Sequence, residues 1–239
     1  MLGFQDTSHF DDHLPFVGLM KDLGVGVVQM TYNTANAVGC GCFESRDGGL
    51  SDFGREVLAE MNRVGIAADL SHVGAKTADD VVEASARPVT YSHVAPSALL
   101  DHPRNKSDAA MRKVAERGGL IGVTPYPPFQ ARGPESQLGD FLDAVEHCIG
   151  VAGEEHIGVG TDFTQGYEND TDFWRQLLRD KGHARELAPM PELIYPDDLQ
   201  GLQDFPNVTA AMVRRGWSET RIRRVMGENW VRFLSDVWA

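Results

Sequence analysis

The sequence predicts a parallel α/β fold, with the sheet either open or closed into a barrel. Two observations carry that expectation. Short apolar runs alternate with longer amphipathic stretches along most of the 239 residues. Glycines stand at the junctions (Gly24, Gly65 and Gly118-Gly119), where helix C-caps and tight αβ turns call for them. Alternation of this kind produces crossover connections and hence parallel strands. A hydrophobic fraction of 42% over 239 residues is enough to bury a large core, as one domain or at most two.

Residues 2–4 read as the first strand, and 14–23 as a helix with apolar positions three and four apart. A second strand over 25–31 precedes a helix over 52–64, for which Ser51 is the N-cap. A strand over 66–70 leads into a helix over 78–84, and a strand over 89–92 into a helix over 108–117 capped by Ser107. Strands over 120–124 and 157–161 flank a helix over 138–152. From 166 to 205 the rhythm breaks into an irregular region rich in Asp, Glu, Pro and Trp. Helices over 208–215, 218–226 and 228–237 then close a single domain spanning 1–239, with Trp230, Phe233 and Trp238 expected as core anchors.

Composition narrows the function. A formal net charge of −13 argues against a nucleic-acid partner or an anionic membrane surface, both of which require basic patches. No apolar run approaches the roughly 18–20 residues that span a bilayer, and no signal peptide is visible at the amino terminus. Cys40, Cys42 and Cys148 are sparse and odd in number, which fits a reducing compartment and a cytoplasmic location.

His72 and His93 are the most informative residues. Each follows an apolar run, so the pattern strand, histidine, helix, strand, histidine places both imidazoles at the carboxyl ends of neighbouring strands. Two neutral imidazoles on one rim are natural ligands for a divalent metal. Asp162 follows the last run in Gly160-Thr161-Asp162-Phe163, at the same rim position. A carboxylate there can ligate, orient a water or shuttle a proton; the alternative is a helix N-cap. Arg104 lies in the loop after the His93 strand. It can bind a substrate carboxylate bidentately or pair on the surface with Asp101 or Asp108. His9, His13, His102, His147, His156 and His183 read as bystanders.

The motifs Asp69-Leu70-Ser71-His72, Ser92-His93, Pro103-Arg104-Asn105, Gly118-Gly119-Leu120-Ile121-Gly122-Val123, Gly158-Val159-Gly160-Thr161-Asp162-Phe163 and Gly227-Glu228-Asn229-Trp230 run in this order along the chain. Together they resemble the renal, or membrane, dipeptidase family of zinc peptidases. The resemblance implies a (β/α) barrel of the TIM type and metal-dependent hydrolysis of dipeptides by a metal-activated water. It assigns His72 and His93 to the second zinc, Arg104 to substrate contact, and Asp162 to holding the substrate amine or shuttling a proton. Gln5 stands where the family has its bridging glutamate, and can offer one neutral carbonyl oxygen. Tyr32 stands where the family has a substrate-contacting histidine, and can donate to a developing oxyanion. The Gly3-Phe4-Gln5 and Thr31-Tyr32-Asn33 pattern is closer to a divergent bacterial branch of dipeptidase-like proteins.

The family's first-metal His-x-Asp pair has no counterpart here, because residue 1 aligns near the third strand. The expectation is therefore an incomplete barrel of about six strands, with one zinc ion rather than two, and with a strand edge that a second chain could cover. The alternative function is a catalytically reduced homologue that binds a small amino-acid derivative without turnover.

Overall fold

Six short strands form one parallel sheet whose order follows the sequence: β1 (Leu2–Phe4), β2 (Val25–Gln29), β3 (Ala67–Asp69), β4 (Thr90–Val94), β5 (Leu120–Val123) and β6 (Ile157–Val159). The computed structural model describes residues 2–163 and 195–238. Every crossover advances the sheet by one strand in the same direction. That is the ordering of a barrel, since a doubly wound sheet reverses direction partway. Among the described residues β1 and β6 are not paired with each other, so the arrangement is a partial barrel of the TIM type.

The connecting helices are α1 (Pro15–Asp22), α2 (Asp52–Val64), α3 (Ala75–Ala84), α4 (Asp108–Glu116) and α5 (Leu138–Ala152). Local chemistry sets their ends. The Ser51 and Ser107 hydroxyls accept from the backbone N–H of Gly54 and Ala110, satisfying donors that the first turn leaves open. Gly65 ends α2 at φ 76°, a left-handed conformation that a residue with a Cβ adopts only with strain. Val57, Leu58 and Met61 of α2 and Met111 and Val114 of α4 share one core with Val28, Ala68, Tyr91 and Ile121 of the sheet.

Side chains alternate across a strand, so Ala67 and Leu120 point to the opposite face from Ala68 and Ile121. That inner face is filled from the carboxyl end of the chain. After α6 (Phe205–Arg214) and α7 (Glu219–Arg223), a π-helical turn, Arg224–Glu228, leads into α8 (Asn229–Trp238). Phe233 and Val237 of α8 form a second cluster with Ala67 and Leu120. Trp230 lies against Gly158 and donates to the Val159 carbonyl at 3.0 Å. Trp230 and Phe233 thus pack as expected, but Trp238 does not. It is 40% exposed, donates to Gly26 O of β2, and lies under the Lys21 ammonium.

The strands differ from the sequence reading mainly at their carboxyl ends. Strands β2, β3, β5 and β6 stop one or two residues early. Strand β4 instead runs on through His93, with an irregular register between Tyr91 and Val94. Helix α3 begins three residues earlier than its apolar pattern suggests, and α6 at Phe205, with Pro206 in its first turn. Most of the irregular 166–205 region, with His183, lies outside the described residues. No helix among the described residues is long and apolar enough to cross a membrane.

Candidate active site

The carboxyl ends of the strands bring together all six residues singled out from the sequence. His72 follows β3, His93 lies in β4, and their Nε2 atoms are 2.9 Å apart. Both rings are buried. Asp162, three residues past the end of β6, places Oδ1 3.9 Å from His93 Nε2. Gln5, just past β1, donates its side-chain N–H to the same Oδ1 at 3.2 Å. The Tyr32 ring stacks on His72, with centroids 4.2 Å apart and planes 22° from parallel.

Arg104 reaches this cluster from the loop after β4. Its Nη2 lies 2.9 Å from His72 Nε2, Nη1 donates to the Ser71 carbonyl, and its guanidinium lies 5.0 Å over the Phe129 ring. At 2% exposure it cannot be the surface arginine pairing with Asp101 or Asp108, so that alternative is discarded. The guanidinium plane is held by an aromatic face on one side and a carbonyl at its edge, which fixes the direction of its fork.

Three residues the sequence reading did not single out hold the imidazoles. Asn33, in a left-handed conformation at φ 59°, presents Oδ1 2.6 Å from His72 Nδ1. An amide oxygen can only accept, so His72 carries its proton on Nδ1 and a lone pair on Nε2, as assigned from this network. Ser92 Oγ lies 2.7 Å from His93 Nδ1, and Ser92 in turn donates to Asp69 Oδ2. Asp69 is buried, and its Oδ1 also accepts from the Ser71 N–H, the Ser71 hydroxyl at 2.7 Å and the Ser92 N–H at 2.9 Å. A polar Asp inside the apolar run Ala67-Ala68-Asp69-Leu70, and a serine before each histidine, were the available signals.

Burial, the largest influence on His93, holds its pKa below the ordinary histidine value; Asp162 opposes this and Arg104 reinforces it. A neutral His93 offers a lone pair to a cation. Burial also raises the Tyr126 hydroxyl to about 12, with the Asp162 charge adding to the effect. Tyr126 therefore remains a protonated hydroxyl.

Two Nε2 lone pairs facing each other at 2.9 Å repel unless a cation or proton lies between or beside them, a role that the Arg104 Nη2 N–H, 2.9 Å from His72 Nε2, fills here and that a divalent ion could take over. Each opposite nitrogen is tied to a side chain, the arrangement that orients metal-binding histidines. The pair therefore fits one divalent ion. Among the described residues no group of three or more His, Cys, Asp or Glu side chains converges for such an ion. Gln5, with its N–H turned to Asp162, supplies no bridging carboxylate.

Comparison with known proteins bears on this arrangement. A family model described as membrane dipeptidase (peptidase family M19) matches residues 1–186. "Dipeptidase tcpJ" of Claviceps purpurea is 32% identical over 193 residues, which is 79% of this chain and 39% of that protein. An uncharacterized dipeptidase of Schizosaccharomyces pombe is 28% identical over 236 residues, 97% of this chain and 51% of its own. The chain thus spans between two fifths and about half of these relatives. Among solved structures, an amidohydrolase from Pseudomonas aeruginosa superposes with a TM-score of 0.94 at 51% identity, over 99% of this chain and 72% of that one. A Rhodobacter sphaeroides metallo peptidase, liganded with a phosphinate mimic of L-Ala-D-Ala, superposes with a TM-score of 0.82 at 24% identity and shares the fold. That match covers 100% of this chain and 63% of the other.

Proposed function

We propose, from the premise that this chain belongs to the membrane dipeptidase family, that its rim site hydrolyses small dipeptide-like substrates with the help of one divalent metal ion, zinc by analogy with the family. The observation that carries this reading is the pair of Nε2 atoms 2.9 Å apart, with Asn33 and Ser92 bonded to the opposite ring nitrogens, contacts from which both Nε2 lone pairs are assigned to one point. His72 and His93 would hold the ion, with Asp162 within reach. Gln5 could add a carbonyl oxygen only if its amide turned away from Asp162. Such an ion supplies a water that is nucleophilic at neutral pH and polarises the scissile carbonyl.

The chain's own residues supply the rest. Arg104 has its fork held rigid and binds the substrate's carboxylate bidentately. Asp162, only part-buried and next to His93, takes a proton from the attacking water and returns one to the leaving amine. Tyr32, stacked on His72, donates its hydroxyl to the oxyanion that forms at the carbonyl carbon. Burial of the imidazoles and of Arg104 excludes water, which strengthens each of these contacts.

The test is turnover of dipeptides by purified protein, with metal content measured before and after chelation. Turnover that falls on chelation and returns with zinc supports the reading, and turnover indifferent to chelation overturns it. One observation favours a second reading, a homologue that binds an amino-acid derivative without hydrolysing it. Gln5 offers Asp162 an N–H, and the Arg104 guanidinium already stands against His72 Nε2. Saturable dipeptide binding with no product, at full metal loading, would select that alternative.

A further inference from the structure

We propose that Asp69 is a positioning residue that decides, through Ser92, which nitrogen of His93 carries the proton and hence which one faces the rim. The inference deepens the metal-site reading above and rests on it in part. Asp69 Oδ2 and Ser92 Oγ are 2.5 Å apart. A carboxylate has no proton to give, so the hydrogen between them belongs to the serine. With its only proton committed, Ser92 Oγ can only accept from His93 Nδ1, 2.7 Å away. His93 is thereby an Nδ1–H imidazole with its lone pair on Nε2, directed at His72 Nε2.

The shorter of the two contacts open to the Ser92 proton is the one to Asp69, since the Ser71 hydroxyl stands at 3.1 Å. Three further donors, the Ser71 N–H, the Ser71 hydroxyl and the Ser92 N–H, fix the other oxygen of Asp69. The Ser71 hydroxyl in turn accepts from the His93 N–H at 3.0 Å, so the carboxylate ties the ends of β3 and β4 together. Strands β5 and β6 press on Ser92 from the other side: a Cβ added at Gly122 or Gly160 would collide with its carbonyl oxygen. Asp69 reaches His93 Nδ1 through the Ser92 hydroxyl.

Changing Asp69 to Asn is close to isosteric and reverses the relay. Oδ1 keeps its three donors, but the group facing Ser92 becomes an N–H. The serine then accepts from residue 69, and its own proton goes to His93 Nδ1 at 2.7 Å, nearer than the Ser71 hydroxyl at 3.1 Å. His93 becomes an Nε2–H imidazole, and its lone pair leaves the rim. A Ser92→Ala change made together with D69N removes the misdirected hydroxyl and frees His93 to present Nε2 again. The double variant should therefore bind metal better than D69N alone, an order that a purely structural role for Asp69 does not produce.

The experiment titrates zinc into chelator-stripped full-length protein against a chromophoric competitor, for the wild type, D69N, Ser92→Ala and the double variant. Folding is monitored by circular dichroism. D69N should weaken zinc binding at least tenfold, the scale of losing an outer partner of a metal-binding histidine, and the double variant should recover much of it. Wild-type affinity in D69N, or a double variant no better than D69N, overturns the proposal. Long-range 1H–15N spectra of the metal-free wild type give a second readout that needs neither zinc nor a folded variant. They should show His93 protonated on Nδ1, and an Nε2–H signal overturns the proposal. Failure of zinc to bind the wild type, with the Nδ1–H signal intact, would count against the metal site and not against the relay.

Discussion

Gln5, just past β1, and Asp162, just past β6, meet at 3.2 Å although β1 and β6 are not paired among the described residues. A flat six-stranded sheet would hold these ends far apart, at nearly 5 Å per strand. Their contact shows that the sheet curls almost into a ring at its carboxyl end. It also shows what the amide does there: it neutralises no charge but gives Asp162 a donor.

Restoring an acid at this position should strengthen metal binding. In Gln5→Glu the new carboxylate faces Asp162 at close range, and without metal the like charges raise one of the two pKa values. A divalent ion relieves that repulsion and gains an anionic ligand. Calorimetric titration should show zinc affinity rising about tenfold or more, roughly 1.4 kcal/mol per decade. Unchanged or weaker affinity would mean that position 5 does not face the ion.

Arg104→Met should move two measurements in opposite directions. Loss of the fork removes the anchor for a substrate carboxylate, so dipeptide KM should rise at least tenfold with a smaller change in kcat. The same substitution removes a cation from beside His72 Nε2, so zinc should bind more tightly. A variant in which both affinities fall together would assign Arg104 a structural role only.

Much of the fold was legible because periodicity records burial directly. Helices over 52–64 and 138–152 form with those bounds, and all six strands form where the apolar runs lie. The rim placement of His72, His93 and Asp162 was likewise legible, since strand-end position is a local property; Arg104 followed from its loop, and Gln5 and Tyr32 came only from the family resemblance. The supports of the site were not. Asn33 reaches His72 across 39 residues and Asp69 reaches Ser92 across 23, pairings that only the folded sheet creates. The burial of Arg104 depends on the Phe129 ring, 25 residues on, which leaves no mark on the local sequence. Trp238 misled because its helical spacing matches that of Trp230, while its ring reaches only the edge of the fold, donating to Gly26 O and staying 40% exposed.

Lys106 carries a pH dependence of its own. Burial, with Arg104 adding to it, lowers its pKa from 10.5 to about 8, and its ammonium donates to the Val73 carbonyl at 2.7 Å. Between about pH 8 and about pH 10.5 the unfolded chain holds a proton that the folded chain has released. Lys106 therefore adds stability as pH rises through that window, by up to about 3 kcal/mol. Urea unfolding at about pH 7 and about pH 10 should show the stability difference between Lys106→Met and wild type shifting toward wild type at the higher pH. A difference independent of pH would contradict a depressed pKa.

Phe233→Ala should test the closure of the inner face. The ring is fully buried against Ala67 and Leu120, and its loss leaves a cavity that costs about 3–5 kcal/mol. Chemical denaturation should register that loss. A cost below about 1 kcal/mol would mean that α8 does not hold the bottom of the barrel closed.

The most direct measurement is zinc stoichiometry in chelator-stripped protein, read for the wild type, His72→Ala and His93→Ala, with circular dichroism confirming that each is folded. Two imidazoles converging on one point predict about one ion per wild-type chain and none retained by either folded variant. Zinc bound with wild-type affinity after either change would contradict the account.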